Sequence, residues 1–215
     1  DQGESVAGGD ATHGGRTGNE DGADGVPFVL GTPTGVGSLP HLDVDEAVAW
    51  VLDTWPELPA APSTPARDPC EGMLGQGAWG IPGVTVGDDG SLTVSAGSLD
   101  PEAPLLSDGI EGPPFATLRA FVAAIAGRTG PVKVQLTGPA TLASALIDAG
   151  APADVALPIA IAAVRARAAD VLDAVAASAP AAPVLAVLDE PAMVGGPPPS
   201  VGPLEVVIDA VSTAL

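Results

Sequence analysis

Apolar positions along this chain follow two rhythms, and each change of rhythm marks an element. In "VDEAVAWVLDTW" Val44, Val48, Val51, Leu52 and Trp55 fall on one helical face, with Asp45, Glu46, Ala49 and Asp53 elsewhere. Asp43 precedes this run and Glu46 follows three residues later, a capping-box spacing in which a carboxylate accepts the free N–H groups of the first turn. Pro56 ends the helix. The helical period predicts further helices over 114–126, 140–149, 153–177 and 202–215. In the helix over 153–177, Ile161, Val164, Ala168, Val171, Leu172 and Val175 make the buried stripe. Arg167 and Asp170 are expected to pair on its wet side, and Pro158 to kink the helix or mark its start.

The second rhythm is that of strands. "GPVKVQLTGP" alternates Val132, Val134 and Leu136 with polar residues and is stopped by Gly138-Pro139. "PVLAVLDEP" carries a nearly continuous apolar run, Val184, Leu185, Val187 and Leu188, as a strand covered on both faces does. The broken stretch "FVLGTPTGVGSL" has its best strand at 35–39. Between the first helix and the next predicted one lies a long Pro/Gly-rich segment, 60–114, too long for one structureless loop. Within it "GVTVGDDGSLTV" reads as a hairpin, with Val84 and Val86 on one arm, Leu92 and Val94 on the other, and Asp89-Gly90 at the turn. The segment reads as an insertion lying over a barrel mouth.

Strands separated by helices imply parallel pairing, and in a parallel barrel or doubly wound sheet all strand carboxyl ends share one rim, where ligands bind. The polar residues at strand ends are therefore the candidates: Gly37 and Ser38, Gln135 and Thr137, Asp189 and Glu190.

Composition narrows the function classes. The chain has 215 residues and a formal net charge of −20, with Lys133 its single lysine. That charge opposes binding to nucleic acid or an anionic membrane, both of which need basic surface. It suits a high-salt habitat and a GC-rich genome alike. No apolar run approaches the roughly 18 residues of a spanning helix. Cys70 stands alone, which excludes an internal disulfide and fits a reducing compartment; the expected location is the cytoplasm. Residues 1–26, Gly/Asp-rich and without apolar periodicity, read as a disordered acidic tail, leaving 27–215 as the folded unit.

"GVGSLPH", "VKVQLTGPATLA" and "VLDEPAM", in this order and each at a strand end, resemble the catalytic barrel of cobalamin-independent methionine synthases and the superfamily it shares with uroporphyrinogen decarboxylases. The resemblance covers about residues 27–215. It implies an incomplete (β/α)8 TIM barrel, about the first half, with a hairpin-containing insertion after the first helix. It implies a methyltransferase that, when complete, moves a methyl group from a folate-like donor to the zinc-activated thiol of homocysteine. On this resemblance Gly37 and Ser38 match the first-strand turn that holds the amino acid, and Asp189 matches the carboxylate that pairs with its ammonium group. Glu190 is their neighbour in the substrate-binding set, and no catalytic residue is assigned.

The chain departs from that family in its metal ligands. His13, His41 and Cys70 are the histidines and the cysteine of the sequence, and they make no ligand set. Zinc is thus expected only in the complete enzyme, held by residues outside this chain, with the chain alone inactive and either oligomeric or lacking its carboxyl-terminal half. Three alternatives stay open. They are a uroporphyrinogen decarboxylase-like enzyme, a corrinoid- or thiol-linked methyltransferase, and a non-catalytic barrel remnant that binds a small amino acid or a partner. The absence of arginine between Arg16 and Arg67 counts against the decarboxylase, which that family equips with an arginine-containing turn after its first strand.

Overall fold

The computed structural model describes residues 29–214, apart from Ala96 and Ser107. The expected tail at 1–26, with His13, lies outside the described residues. The fold is mixed α/β, with helices α1 (Val44–Thr54), α2 (Met73–Ala78), α3 (Ala116–Ala124), α4 (Pro139–Asp148), α5 (Ala153–Ser178) and α6 (Leu204–Ala214). Its strands are β1 (Val84–Val86), β2 (Leu92–Val94), β3 (Val132–Thr137) and β4 (Val184–Asp189).

β3 and β4 pair in parallel, Val132 opposite Val184 through to Thr137 opposite Asp189. Two isolated parallel bridges continue this pairing on the other side of β3. Ala60 bridges to Lys133, and Ser63 bridges to Ser38. The expected strand at 35–39 is thus reduced to a single bridge at Ser38, held by Ser63 N–H to Gly37 O (3.0 Å) and Leu39 N–H to Ser63 O (2.9 Å). The parallel segments follow one another across the sheet in chain order.

Alternation along β3 separates two faces. Val132, Val134 and Leu136 join Val48 and Val51 of α1, Leu118 and Phe121 of α3, and Val171 and Val175 of α5 in one buried cluster. Each fully buried side chain of this kind contributes about 1.5–3 kcal/mol. Lys133, Gln135 and Thr137 take the opposite face, and the register adds Leu185, Val187 and Asp189 to it. β4 is half-buried along its whole length, so its apolar run is covered less completely than expected.

α1 begins as its sequence predicts, with Asp43 accepting the Glu46 N–H at 3.0 Å. α5 runs unbroken from Ala153, and Pro158 lies inside it rather than at its start. The missing N–H of Pro158 removes only the bond to the Asp154 carbonyl, one turn into the helix, and packing holds the remaining turns. The expected wet-side pair on α5 needs correction. Arg167 does meet Asp170 at 3.1 Å, but Arg167 is only 2% exposed.

The insertion is structured. Its hairpin pairs Val84 with Val94 and Val86 with Leu92, turning at Gly90 with φ of +78°. The apolar side chains of that hairpin pack on a second cluster built from Ala78 of α2, Leu142 and Leu146 of α4, and Ile159 and Ala163 of α5. No helix of the described residues is long and apolar enough to cross a membrane.

Candidate site at the carboxyl ends of the parallel strands

Three polar side chains stand in a row on the face of β3 opposite the cluster formed with α1, α3 and α5. Lys133 is buried, and its Nζ donates to Gly35 O at 2.8 Å. Burial pushes the Lys133 pKa down, while the nearby Asp189 carboxylate opposes that shift. Gln135 Nε2 donates to Ala61 O. Thr137 Oγ1 donates to Met73 O at 2.5 Å. Each of these bonds ties the sheet to a neighbouring chain segment, so the row is held in place by backbone carbonyls.

Beyond this row, at the strand ends, lies a cleft lined by Ser38, Ser63, Gln76, Gln135, Thr137 and Asp189, among others. Two of the expected site residues, Ser38 and Asp189, are therefore brought to one place from opposite sides of the parallel array. Gly37 supports the cleft from behind. Its φ of +108° is a conformation that favours glycine, and a Cβ there would overlap the Gln135 side-chain amide and crowd Ala61 O. The positive φ and the close approach of the Ala61 carbonyl favour glycine here.

Glu190 is directed elsewhere. Its carboxylate accepts the N–H groups of Ala140 (2.9 Å) and Thr141 (2.7 Å) at the first turn of α4. A negative group is well placed there, where free N–H donors and the helix dipole converge. Gly138 has no Cβ to obstruct it, since one would overlap the Glu190 side chain. Adjacent strand residues have thus separated into two tasks, Asp189 facing the cleft and Glu190 closing a helix.

Sequence reasoning missed two buried polar centres. Glu71 is fully buried, and its carboxylate accepts from the backbone N–H and hydroxyl of both Thr64 and Thr117, and pairs with Arg67. Burial by itself raises the Glu71 pKa, but the Thr117 and Thr64 hydrogen bonds outweigh it, and the net direction is downward. The network joins the insertion to the start of α3. Arg167 is the second centre. It donates to Gly109 O (2.7 Å) and Trp79 O (2.9 Å) and lies over the Phe115 ring, 4.4 Å from its centroid. No local motif announces either; each depends on partners more than 45 residues away in at least one bond.

His41 and Cys70 sit apart from the cleft. His41 is half-buried against Trp50, with ring centroids 5.7 Å apart. Cys70 donates its thiol to Gly87 O at 3.3 Å. Burial raises the Cys70 pKa, and the Asp68, Asp88 and Asp89 carboxylates raise it further, which disfavours the thiolate that a metal needs. Among the described residues no group of three His, Cys, Asp or Glu side chains is arranged to hold a metal ion. These residues do not fit a zinc centre.

No protein family, curated protein or solved structure matches the chain.

Proposed function

We propose that this chain is about the first half of a (β/α)8 barrel of the methionine synthase type, whose complete form transfers a methyl group from a folate-like donor to the thiol of homocysteine. The observation that carries the reading is the shared cleft of Ser38 and Asp189 at the carboxyl ends of parallel segments that follow chain order. In parallel α/β folds that rim is where ligands bind.

Within this reading Asp189 holds the substrate ammonium by a charge-assisted hydrogen bond. Ser38 is exposed and offers its hydroxyl to the substrate carboxylate. Lys133, buried and bonded to Gly35 O, lies near that carboxylate, whose charge opposes the downward push of burial on its pKa. Zinc, when bound to the complete enzyme, supplies a thiolate at neutral pH. Its ligands lie outside this chain on this reading, and no step performed by these residues runs through it.

Calorimetric titration of the chain with homocysteine tests the proposal. The expected result is saturable binding that weakens when the amino group is acetylated. Equal heats for both compounds, or none, would remove the amino-acid assignment.

A further inference from the structure

Asp189 shares the rim cleft with a half-buried residue from the insertion that the reading above leaves unused. Gln76 enters the wall from α2, and its Nε2 donates to Pro114 O at 2.9 Å. A carbonyl oxygen at that point repels another oxygen, so the amide is oriented with Oε1 as its unpaired, accepting end.

Thr137 links Gln76 to Asp189. It lies opposite Asp189 in the β3–β4 register, on the same face of the sheet. Its hydroxyl donates to Met73 O, three residues before Gln76 on α2. The helix lies close against this strand end, since a Cβ at Gly77 would stand 3.3 Å from the Thr137 Cβ. Gln76 is therefore fixed from two sides, by Pro114 and by the Thr137 anchor on its own helix.

The rest of the wall decides the sign of the ligand. Among the described residues Asp189 is the one ionisable side chain on it, and no lysine, arginine or histidine lines the cleft. The Gln135 amide and the Thr137 hydroxyl already donate to backbone carbonyls. A carboxylate, an amide oxygen and two serine hydroxyls remain, beside apolar wall from Val36, Met73 and Leu136. Such a surface disfavours an anion and suits a cation that carries several N–H donors. The cleft holds about 130 Å³, many times the roughly 10–15 Å³ that one water needs on the same measure.

We infer that Gln76 reads a primary ammonium group together with Asp189, and that the ligand class is a small primary alkylamine, with or without an α-carboxylate. Gln76 Oε1 accepts one N–H of the ammonium and the Asp189 carboxylate accepts another. The stem lies on the apolar wall. Thr137 is a positioning residue that acts through Met73. The inference rests on the Asp189–ammonium pairing of the reading above and on no part of methyl transfer.

The test is NMR titration of the 215-residue chain at neutral pH with propylamine, N,N,N-trimethylpropylammonium and propionate, with potassium chloride as competitor. Propylamine is expected to bind saturably. The trimethyl compound keeps the charge and loses every N–H donor, and propionate reverses the charge, so both are expected to bind at least about tenfold more weakly. Gln76→Met keeps the length of the side chain and removes the acceptor. It is expected to lower propylamine affinity at least about fivefold and to leave the trimethyl compound unchanged, a contrast that a merely structural role would not produce. Should that variant fail to fold by circular dichroism, nuclear Overhauser contacts between propylamine and the Gln76 side chain in the parent chain take its place. Equal binding of propylamine and the trimethyl compound, no binding of propylamine, a Gln76→Met chain that binds it as the parent does, absent Gln76 contacts, or displacement by equimolar potassium overturns the inference. Propylamine that fails where homocysteine binds overturns the inference alone. Propylamine that binds through Gln76 where homocysteine does not bind sustains it and overturns the homocysteine reading.

Discussion

Gly37 and Gln135 occupy each other's space: the Gln135 amide lies where a Gly37 side chain would begin. The contact joins the segment that carries Ser38 to the middle of β3, and it holds the amide against Ala61 O. Gly37→Ala imposes backbone strain at φ of +108° and forces Gln135 out of its place. The expected loss is about 2–4 kcal/mol, the sum of a strained residue and an overpacked contact. Denaturant unfolding measures it. A loss under about 0.5 kcal/mol would show that Gln135 yields freely, and would weaken its assignment as a fixed wall of the cleft.

Asp189 and Glu190 are adjacent in sequence and separate in task, so their amide variants are expected to differ in kind. Asp189→Asn keeps the shape and removes the charge. On the homocysteine reading its affinity falls by about 1.5–3 kcal/mol, roughly ten- to a hundredfold, with folding little changed. Glu190→Gln instead weakens the cap on α4, lowering stability by about 0.5–2 kcal/mol with affinity nearly retained. Calorimetry and thermal melts on both variants check this. The reverse pattern, with Glu190 controlling affinity, would exchange the two roles.

The elements were largely legible because local pattern and tertiary outcome agree. The period-3.6 stripe and the Asp43 cap gave α1, and Asp89-Gly90 gave the hairpin. Helix limits moved by one or two residues, and the strand expected at 35–39 shrank to one bridge. The site was legible in part. Ser38 and Asp189 could be named because strand ends share a rim, whereas Glu190 was grouped with them through adjacency alone. Its actual partner is the start of α4, about 50 residues earlier, and no local pattern encodes that distance. Arg167 looked solvated because a charged pair at i, i+3 usually is. Its burial follows from Trp79, Gly109 and Phe115, whose loops fold over α5.

Glu71 makes stability depend on acid. Its folded pKa lies below the ordinary 4.5, so the folded state binds its proton less readily than the unfolded state does. The contribution is therefore complete above pH 4.5 and is lost as pH falls through the folded value. Glu71→Gln is expected to cost about 2–3 kcal/mol at pH 7, because the Thr64 and Thr117 donors lose an ionised acceptor and Arg67 loses its partner. The difference between parent and variant should shrink in acid. Chemical unfolding at pH 7 and pH 4 measures both quantities, and a difference independent of pH would show that the network does not depend on the Glu71 charge.

The described residues leave the parallel array uncovered at one end. β4 pairs with β3 on one side, and among the described residues no strand pairs with its other side. The helix layer ends in the same way, with Leu204 (47%), Val206 (38%) and Ile208 (56%) of α6 exposed. An unpaired strand edge and an exposed apolar helix face are each a template for association. The net charge of −20 opposes contact between copies, and salt screens that repulsion within about 10 Å at 0.1 M. Self-association is therefore expected to increase with both protein and salt concentration, contrary to an association held by ion pairs. Ile208→Glu adds charge to the exposed face without opening a core cavity, so it should reduce association while changing stability by less than about 0.5 kcal/mol. Sedimentation velocity at low salt and at roughly 0.5 M salt reads the trend. A monodisperse monomer under every condition would mean that this face is tolerated in water, and the open edge would lose its claim to be an unfinished interface.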